Sequence, residues 1–324
     1  MKYYSWVEKN RPKNLEEVCY QDDVKKILKN FITNKNIPHL LFFGPSGCGK
    51  TSTILSLARD LFGNEYKNRI KELNASDERG INVIREKIKN YAQESISINN
   101  NLPPWKIIIL DEADNMTIES QYALRRIMEE YSKVTRFCII CNYHNKIIDP
   151  IVSRCSLFRF KPIPDKIIKS QLTLISSKEN FNCTNKVLEK ICSYCRGDLR
   201  KAINFLQRCN NCFGDKITSM VIDEISGVIS LDTLEKFIEN CINKNEKEVL
   251  NFIEFFYYSG YSLVNQVFSL HNILIKSKIT DESKCNIILI LIEIDQNLIK
   301  GSDELIQMHK LAYFIMRQNN LRKT

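Results

Sequence analysis

The sequence lacks any stretch long enough to cross a membrane. Its longest apolar run, IILILI at 287–292, has six residues, whereas a membrane-spanning helix needs about 20. The first residues, MKYYSWVEKN, also lack the apolar core of a secretory signal peptide. We therefore expect no membrane partner and a compartment continuous with the cytosol.

Histidine is scarce and cysteine follows no metal-binding pattern. The four histidines are scattered: His39, His144, His271 and His309. Three C-x-x-C pairs occur, but in the strand-like run RFCIIC an offset of three puts Cys138 and Cys141 on opposite faces. The pairs at 192/195 and 209/212 flank a predicted helix over 198–208, which would separate them by roughly 15 Å, too far for one zinc ion. We expect no zinc site, and thiols rather than disulfides in this compartment.

The composition is that of a globular protein, with 44% hydrophobic and 26% charged residues. A chain of 324 residues exceeds one common domain, so two or three domains are expected. Lys and Arg outnumber Asp and Glu by 47 to 38, a formal charge of +9. The excess permits an anionic partner such as nucleic acid, although a solvated surface is its more ordinary explanation.

Short apolar runs alternate with helical patterns in the first half of the chain. The runs are LLFF at 40–43, IKELNAS at 70–76, KIIIL at 106–110 and RFCIIC at 136–141. Helical patterns begin at Lys50 and Ile81. Such runs suit strands covered on both faces, which predicts an α/β domain with a parallel sheet flanked by helices. We place this domain at 1–164, where Pro162 and Pro164 mark a change of pattern.

Helical periodicity prevails in two further domains. Residues 165–228 predict a small helical domain, in which Gly197 ends one helix and Asp198 caps the next. Residues 229–324 predict amphipathic helices without a catalytic constellation. Their apolar faces suit either a core of their own or packing into an oligomer, and both interpretations stay open.

A glycine-rich loop lies between the first predicted strand and a helix. Residues 44–51, GPSGCGKT, fit the P-loop pattern G-x-x-x-x-G-K-[ST]. Because its glycines lack Cβ atoms, backbone N–H groups can close around phosphates at the start of the helix. Lys50 is expected to reach the β- and γ-phosphates of ATP, and Thr51 to bind Mg²⁺.

Two acids follow the apolar run at 106–110. Asp111 at the strand tip is expected to hold the Mg²⁺ shell, and Glu112 to orient and polarise the attacking water. The letters DEAD at 111–114 are also the tag of an RNA-helicase superfamily. Its Ser-Ala-Thr and His-Arg-x-Gly-Arg segments are missing from this sequence and no second α/β pattern follows, which argues against that interpretation.

From Trp6 almost to its end, the chain resembles the small subunits of replication factor C, a clamp loader of the AAA+ ATPases. The motifs that carry the resemblance are the P-loop, WVEKNRP at 6–12, ELNASDERGI at 72–81, ILDEAD at 109–114, ALRR at 123–126, CNY at 141–143, SRC at 153–155, FRFKP at 158–162 and GDLRKA at 197–202. The resemblance implies an α/β AAA+ P-loop domain, a small helical lid domain and an all-α collar domain that assembles the oligomer.

The resemblance also implies roles for individual residues. It assigns ATP binding to Val7, Arg11, Gly44, Pro45, Ser46, Gly47, Cys48, Gly49, Lys50, Thr51, Ser52, Asn142 and Arg200. Asn142 matches sensor 1, beside the γ-phosphate and the attacking water, and Arg200 matches sensor 2 on the lid. Arg154 matches the arginine finger, which would stabilise phosphoryl charge at the neighbouring subunit's ATP. The active unit implied is therefore an oligomer.

The implied partners are DNA, a clamp and sister subunits. Contacts to DNA map to Arg79, Arg85 and Lys146, which would hold phosphates without reading bases. The implied function is that of an ATPase in a nuclear heteropentamer that loads the PCNA sliding clamp onto primer-template double-stranded DNA in replication and repair. A nucleotide-binding scaffold without hydrolysis, and another AAA+ DNA motor, are the alternatives.

Three positions depart from the usual pattern of the family. Asn10 stands in place of a tyrosine in the segment that lines the adenine pocket, which predicts weaker packing of the base. Ser46 and Cys48 replace proline and threonine, and binding should survive because the cradle uses backbone N–H groups. Beside those groups, Cys48 is expected to have a lowered pKa and to react with thiol reagents unless ATP protects it.

Overall fold

The computed structural model describes residues 5–75, 81–93, 102–181, 183–214, 217, 222, 226–277 and 279–318. The chain divides into two compact units, Met1–Asp215 and Lys216–Thr324. The predicted boundary between 164 and 165 lies inside the first unit, and the division into three domains stays a prediction.

Strands and helices alternate along the first unit. The strands are β1 (His39–Phe43), β2 (Ile70–Asn74), β3 (Lys106–Asp111), β4 (Thr135–Cys141) and β5 (Cys155–Arg159). The helices are α1 (Trp6–Lys9), α2 (Asp22–Asn34), α3 (Lys50–Phe62), α4 (Tyr66–Arg69), α5 (Ile81–Gln93), α6 (Ile118–Glu130), α7 (Asp149–Val152), α8 (Asp165–Lys178), α9 (Asn185–Cys195) and α10 (Leu199–Phe213).

The five strands form one parallel sheet in the order β2-β3-β4-β1-β5. Successive residues of the apolar runs pack into different cores on its two faces, since side chains alternate along a strand. Leu40 and Phe42 belong to one core, and Leu41 to the other. The predicted parallel sheet flanked by helices is confirmed.

The order of the strands brings three segments that were predicted to bind or hydrolyse ATP to one edge of the sheet. The P-loop follows β1, Asp111 ends β3 and Asn142 follows β4. Because β3, β4 and β1 are neighbours and run parallel, their carboxyl ends lie side by side. Ligands of open α/β sheets bind in this position.

Helices α8, α9 and α10 form the part that we call the lid. Helix α9 ends at Cys195, Gly197 follows with a φ of +85°, and Asp198 Oδ1 accepts a hydrogen bond from Lys201 N at 2.9 Å to cap α10. Helix α10 continues to Phe213, about one turn beyond the predicted end at 208, because no helix-breaking residue precedes Gly214. Cys209 therefore lies inside the helix, and all twelve cysteines of the chain are free thiols.

The second unit is helical and has a core of its own. Its helices are α11 (Leu231–Ile242), α12 (Glu246–Tyr258), α13 (Leu263–Lys276), α14 (Asp281–Ile299) and α15 (Glu304–Arg317). Phe237, Phe256 and Leu274 are among the buried residues that these helices share. Assembly through outer apolar faces stays a prediction. None of the described helices combines the length and the hydropathy needed to cross a bilayer.

Candidate nucleotide-binding site

A cavity of about 560 Å³ opens at the edge of the sheet where β1, β3 and β4 end, a size within the usual range for small-molecule sites. Residues predicted to bind ATP form much of its wall: Val7, Arg11, Ser46, Gly47, Cys48, Gly49, Lys50, Thr51, Ser52, Asp111, Glu112, Asn142 and Arg200. Gly44 and Pro45, also predicted to bind ATP, are not among the described lining residues, but their carbonyl oxygens accept hydrogen bonds from Lys50. One cavity thus collects residues from the P-loop, the sheet edge, the N-terminal segment and the lid.

Lys50 is held in place by three acceptors. Its Nζ donates to the carbonyl oxygens of Gly44 at 2.7 Å and Pro45 at 2.9 Å, and to Asn142 Oδ1 at 2.9 Å. The residue is 8% exposed, and burial lowers the pKa of its ammonium group from the usual value. The bond to Asn142 links the P-loop directly to the end of β4.

Thr51 and Asp111 form an oxygen pair at the mouth of the P-loop. Thr51 Oγ1 donates to Asp111 Oδ2 at 2.7 Å, and Asp111 Oδ1 accepts from the backbone N–H of Glu112 at 2.8 Å. Glu112 is exposed and has a left-handed backbone with a φ of 54°. Its carboxylate is therefore open to a ligand in the cavity.

The residues present fit a nucleotide phosphate with Mg²⁺. A hydroxyl oxygen and a carboxylate oxygen are hard donors of the kind that Mg²⁺ takes. Gly47 and Gly49 of the P-loop adopt φ angles of +66° and +96°, a backbone conformation that favours glycine. Because glycine has no Cβ, their backbone N–H groups at the start of α3 are open to a ligand. A helix start with a buried lysine beside it suits an anion.

The prediction of a reactive Cys48 is wrong. Its side chain is fully buried and packs into the apolar core with Leu40 and Phe42, and its Sγ–H donates to the carbonyl oxygen of Pro45 at 2.8 Å. Burial raises the pKa of the Cys48 thiol, although Lys50 acts in the opposite direction. Closeness to a helix start does not activate a thiol that points into the core.

The N-terminal segment also lines the cavity. Asn10 Nδ2 donates to the carbonyl oxygen of Trp6 at 3.0 Å, and Arg11 pairs with Glu8 at 2.6 Å. Trp6 in turn is anchored on the lid, since its backbone N–H donates to Gln207 Oε1 at 3.0 Å. Asn10 thus has its own structural partner, and weaker packing of the base at this position stays a prediction.

The lid contributes one contact that sequence patterns missed. Ser46 Oγ donates to Asp198 Oδ2 at 2.8 Å, across 152 positions of sequence. Asp198 was predicted as a helix cap, which it is, but its second carboxylate oxygen faces the P-loop. Arg200, two residues later, lines the cavity.

Several curated proteins are similar to this chain over nearly its whole length. Human replication factor C subunit 4 is 45% identical, and the match covers 97% of this chain and 88% of that protein. Replication factor C subunit 2 of Saccharomyces cerevisiae is 45% identical, over 94% and 91% of the two chains. The replication factor C small subunit of Archaeoglobus fulgidus is 44% identical, over 95% and 96%. This chain belongs to the replication factor C small-subunit family.

Three family models match segments of the chain, and a solved structure shares its fold. Residues 229–313 match the replication factor C C-terminal domain, residues 170–209 an AAA+ ATPase lid domain of the RCF1/5-like type, and residues 20–164 the DNA polymerase III delta subunit. The RuvB Holliday junction branch migration motor of Thermotoga maritima superposes with a TM-score of 0.54 at 17% identity, over 73% of this chain and 80% of that one. This likeness concerns the fold. The resemblance to the small subunits of replication factor C, which was drawn from the motifs, is confirmed.

The finger residue predicted from the family pattern lies apart from this cavity. Arg154 is not among the described residues that line it. Its guanidinium pairs with Glu129 Oε1 at 2.5 Å and donates to the carbonyl oxygen of Pro150 at 2.7 Å, and its side chain is 35% exposed. Glu129 also accepts from Arg125 at 3.1 Å, a bond that lowers the pKa of Glu129. Arg154 is thus partly exposed at the surface, and it does not line the cavity that the chain's own P-loop forms.

Of the three residues predicted to contact DNA, the structure describes one side chain. Arg79 and the side chain of Arg85 lie outside the described residues. Lys146 is exposed, with its Nζ 5.6 Å from the centre of the Tyr143 ring.

The loop that carries Lys146 is held by Gln121, a buried residue that the sequence patterns missed. Gln121 Nε2 donates to the Lys146 carbonyl at 3.0 Å, and its Oε1 accepts from Ile148 N at 2.9 Å.

Proposed function

We propose that this chain is the ATP-binding and ATP-hydrolysing small subunit of a replication factor C clamp loader. In this proposal the complex opens the PCNA sliding clamp and loads it onto primer-template double-stranded DNA. The ATPase activity is proposed because one cavity brings together the side chains that ATP hydrolysis needs: Lys50, the Thr51–Asp111 pair, Glu112 and Asn142. Relatives that are named as subunits, and that match nearly the full chain, support membership of a multisubunit complex, which in this proposal is a heteropentamer.

Each residue of the cavity has a role that its position supports. The backbone N–H groups of the P-loop bind phosphates, and the ammonium of Lys50 exchanges its carbonyl partners for phosphate oxygens. Mg²⁺, held by Thr51 and Asp111, would neutralise phosphate charge during transfer. Glu112 orients the attacking water and accepts its proton, and Asn142, fixed by Lys50, holds that water in line.

The site needs a neighbour to be complete. Arg154 is partly exposed and does not line its own cavity, so its guanidinium would serve the ATP of an adjacent subunit. Its own cavity would receive the corresponding arginine from the other side. An arginine finger supplied in this way accelerates hydrolysis about 10³- to 10⁵-fold in the systems where its effect has been isolated.

DNA binding and nuclear location belong to the same proposal. The exposed Lys146, together with Arg79 and Arg85, would bind phosphates of the duplex without reading its bases. Such binding suits a loader that acts at any primer end. Eukaryotic relatives named as replication factor C subunits support a nuclear location.

Glu112→Gln tests the hydrolysis step. In the complex assembled with clamp and DNA, the variant should bind ATP as the wild type does but lose most of the turnover contributed by this site, because an amide cannot accept the proton of water. Glu119→Gln, which removes an exposed carboxylate in the first turn of α6, is the matched control and should leave turnover unchanged. If Glu112→Gln also leaves turnover unchanged, the chain is a nucleotide-binding scaffold. Strand separation by the purified complex would instead favour another AAA+ DNA motor.

A further inference from the structure

The P-loop and the lid are joined by a short set of polar contacts. Ser46 Oγ donates to Asp198 Oδ2 at 2.8 Å, and the backbone N–H of Leu199 donates to the carbonyl oxygen of Gly47 at 3.3 Å. Asp198 is 7% exposed, whereas Ser46 is exposed. All four residues belong to the first unit. A buried carboxylate of the lid therefore meets a hydroxyl at the rim of the P-loop.

The two segments approach each other so closely that no side chain fits between them. A Cβ on Gly47 would lie 1.7 Å from Asp198 Oδ1. On the other side of the lid turn, a Cβ on Gly197 would lie 2.8 Å from Pro162 Cβ, and Ile163 N donates to the Gly197 carbonyl at 3.2 Å. Asp198 is thus fixed between the P-loop and the segment that leads into the lid.

Asp198 connects this contact to the helix that carries Arg200. Its Oδ1 accepts from Lys201 N at 2.9 Å and caps α10, while its Oδ2 accepts from Ser46. Arg200 lies in the first turn of α10 and lines the cavity together with the P-loop. A movement of α10 away from the P-loop would break the bond to Ser46 and carry Arg200 out of the cavity wall.

We propose that Ser46 is a positioning residue that latches the lid onto the P-loop through Asp198 and thereby raises the affinity of the cavity for nucleoside triphosphate. The inference rests on the proposed ATP site. The latched arrangement is the one in which the P-loop and Arg200 line one cavity, so it is the binding-competent arrangement. Loss of the latch populates arrangements with the lid displaced, and the apparent affinity falls with the fraction of competent molecules.

Ser46→Ala in the full chain removes the donor without changing the charge of the site. We expect the dissociation constant of a fluorescent ATP analogue to rise about three- to tenfold, the effect of a partly exposed hydrogen bond to a charged group. Backbone amides at the start of α10 should exchange hydrogen faster. Ser46→Thr keeps the hydroxyl and should restore both values. Ser170→Ala is the matched control, because it removes an exposed lid hydroxyl that bonds to Ile167 within its own helix.

A second background shows whether Ser46 acts through Asp198. Asp198→Ser keeps a side chain that can cap α10 but shortens it away from Ser46. In this background, Ser46→Ala should have no further effect on affinity. If Ser46→Ala lowers the affinity equally in the wild-type chain and in the Asp198→Ser chain, the latch is overturned. It is also overturned if Ser46→Ala alone changes neither the affinity nor the hydrogen exchange of the amides in α10. If the wild type binds the analogue no better than Lys50→Ala, the proposed ATP site itself fails and the latch fails with it.

Discussion

Gly47→Ala tests how closely the lid approaches the P-loop. At the φ of +66° found for Gly47, an alanine costs about 1–2 kcal/mol. The added Cβ would lie 1.7 Å from Asp198 Oδ1, so the carboxylate must move. Its displacement forfeits the cap of α10, about 1 kcal/mol, and the bond from Ser46, about another 1 kcal/mol. We therefore expect the free energy of unfolding to fall by roughly 3–4 kcal/mol in total.

Gly260→Ala provides the matched control for backbone strain. Gly260 has a nearly equal φ of +69°, and a Cβ there would meet nothing within 4 Å. Its substitution should cost about 1–2 kcal/mol in urea unfolding of the full chain and leave the affinity for an ATP analogue unchanged, whereas Gly47→Ala should weaken that affinity. If the two variants lose stability equally, within about 0.5 kcal/mol, and both retain nucleotide affinity, the reasoning about the lid contact is refuted.

Three further predictions concern side chains of the first unit. Gln121→Leu should lower the free energy of unfolding by about 1–2 kcal/mol, because two part-buried backbone groups lose the side chain that satisfies them. A loss below about 0.5 kcal/mol would contradict this. Burial, with Arg136 nearby, lowers the pKa of His39 to about 4. Between pH 6.5 and 4 the unfolded chain therefore binds a proton that the folded chain does not, and the free energy of unfolding falls as the pH decreases through that window. His39→Gln should reduce this dependence of stability on pH, as measured by thermal unfolding. Cys48 should be alkylated far more slowly than the exposed Cys212, with or without ATP, as measured by mass spectrometry.

The sheet and the positions of the main site residues follow from local patterns in the sequence. Apolar runs such as KIIIL predict buried strands, and β3 ends at Asp111, one residue after this run. The P-loop pattern depends on a strand before it and a helix after it, and β1 and α3 occupy those positions. Because parallel strands present their carboxyl ends at one edge, the convergence of Lys50, Asp111 and Asn142 could be anticipated from the sequence.

Contacts between distant segments could not be anticipated in this way. The bond between Ser46 and Asp198 joins residues 152 positions apart, and it depends on how the lid packs against the P-loop. The pattern GPSGCGKT places Cys48 at a helix start, but it does not reveal that the side chain turns into the core. The ion pair between Arg154 and Glu129 likewise joins the turn after α7 to α6. The spacing of residues within either segment does not predict this contact.

The central claim is that this chain holds part of an ATPase site and supplies Arg154 to the ATP site of the neighbouring subunit. ATP turnover should therefore be compared between the isolated chain, the complex assembled with clamp and DNA, and the same complex carrying Arg154→Ala. We predict little turnover by the isolated chain, substantial turnover by the complex, and a large loss in the variant although its own cavity still binds ATP. The claim would be contradicted if the isolated chain hydrolysed ATP as fast as the complex, or if Arg154→Ala left the ATP turnover of the complex unchanged.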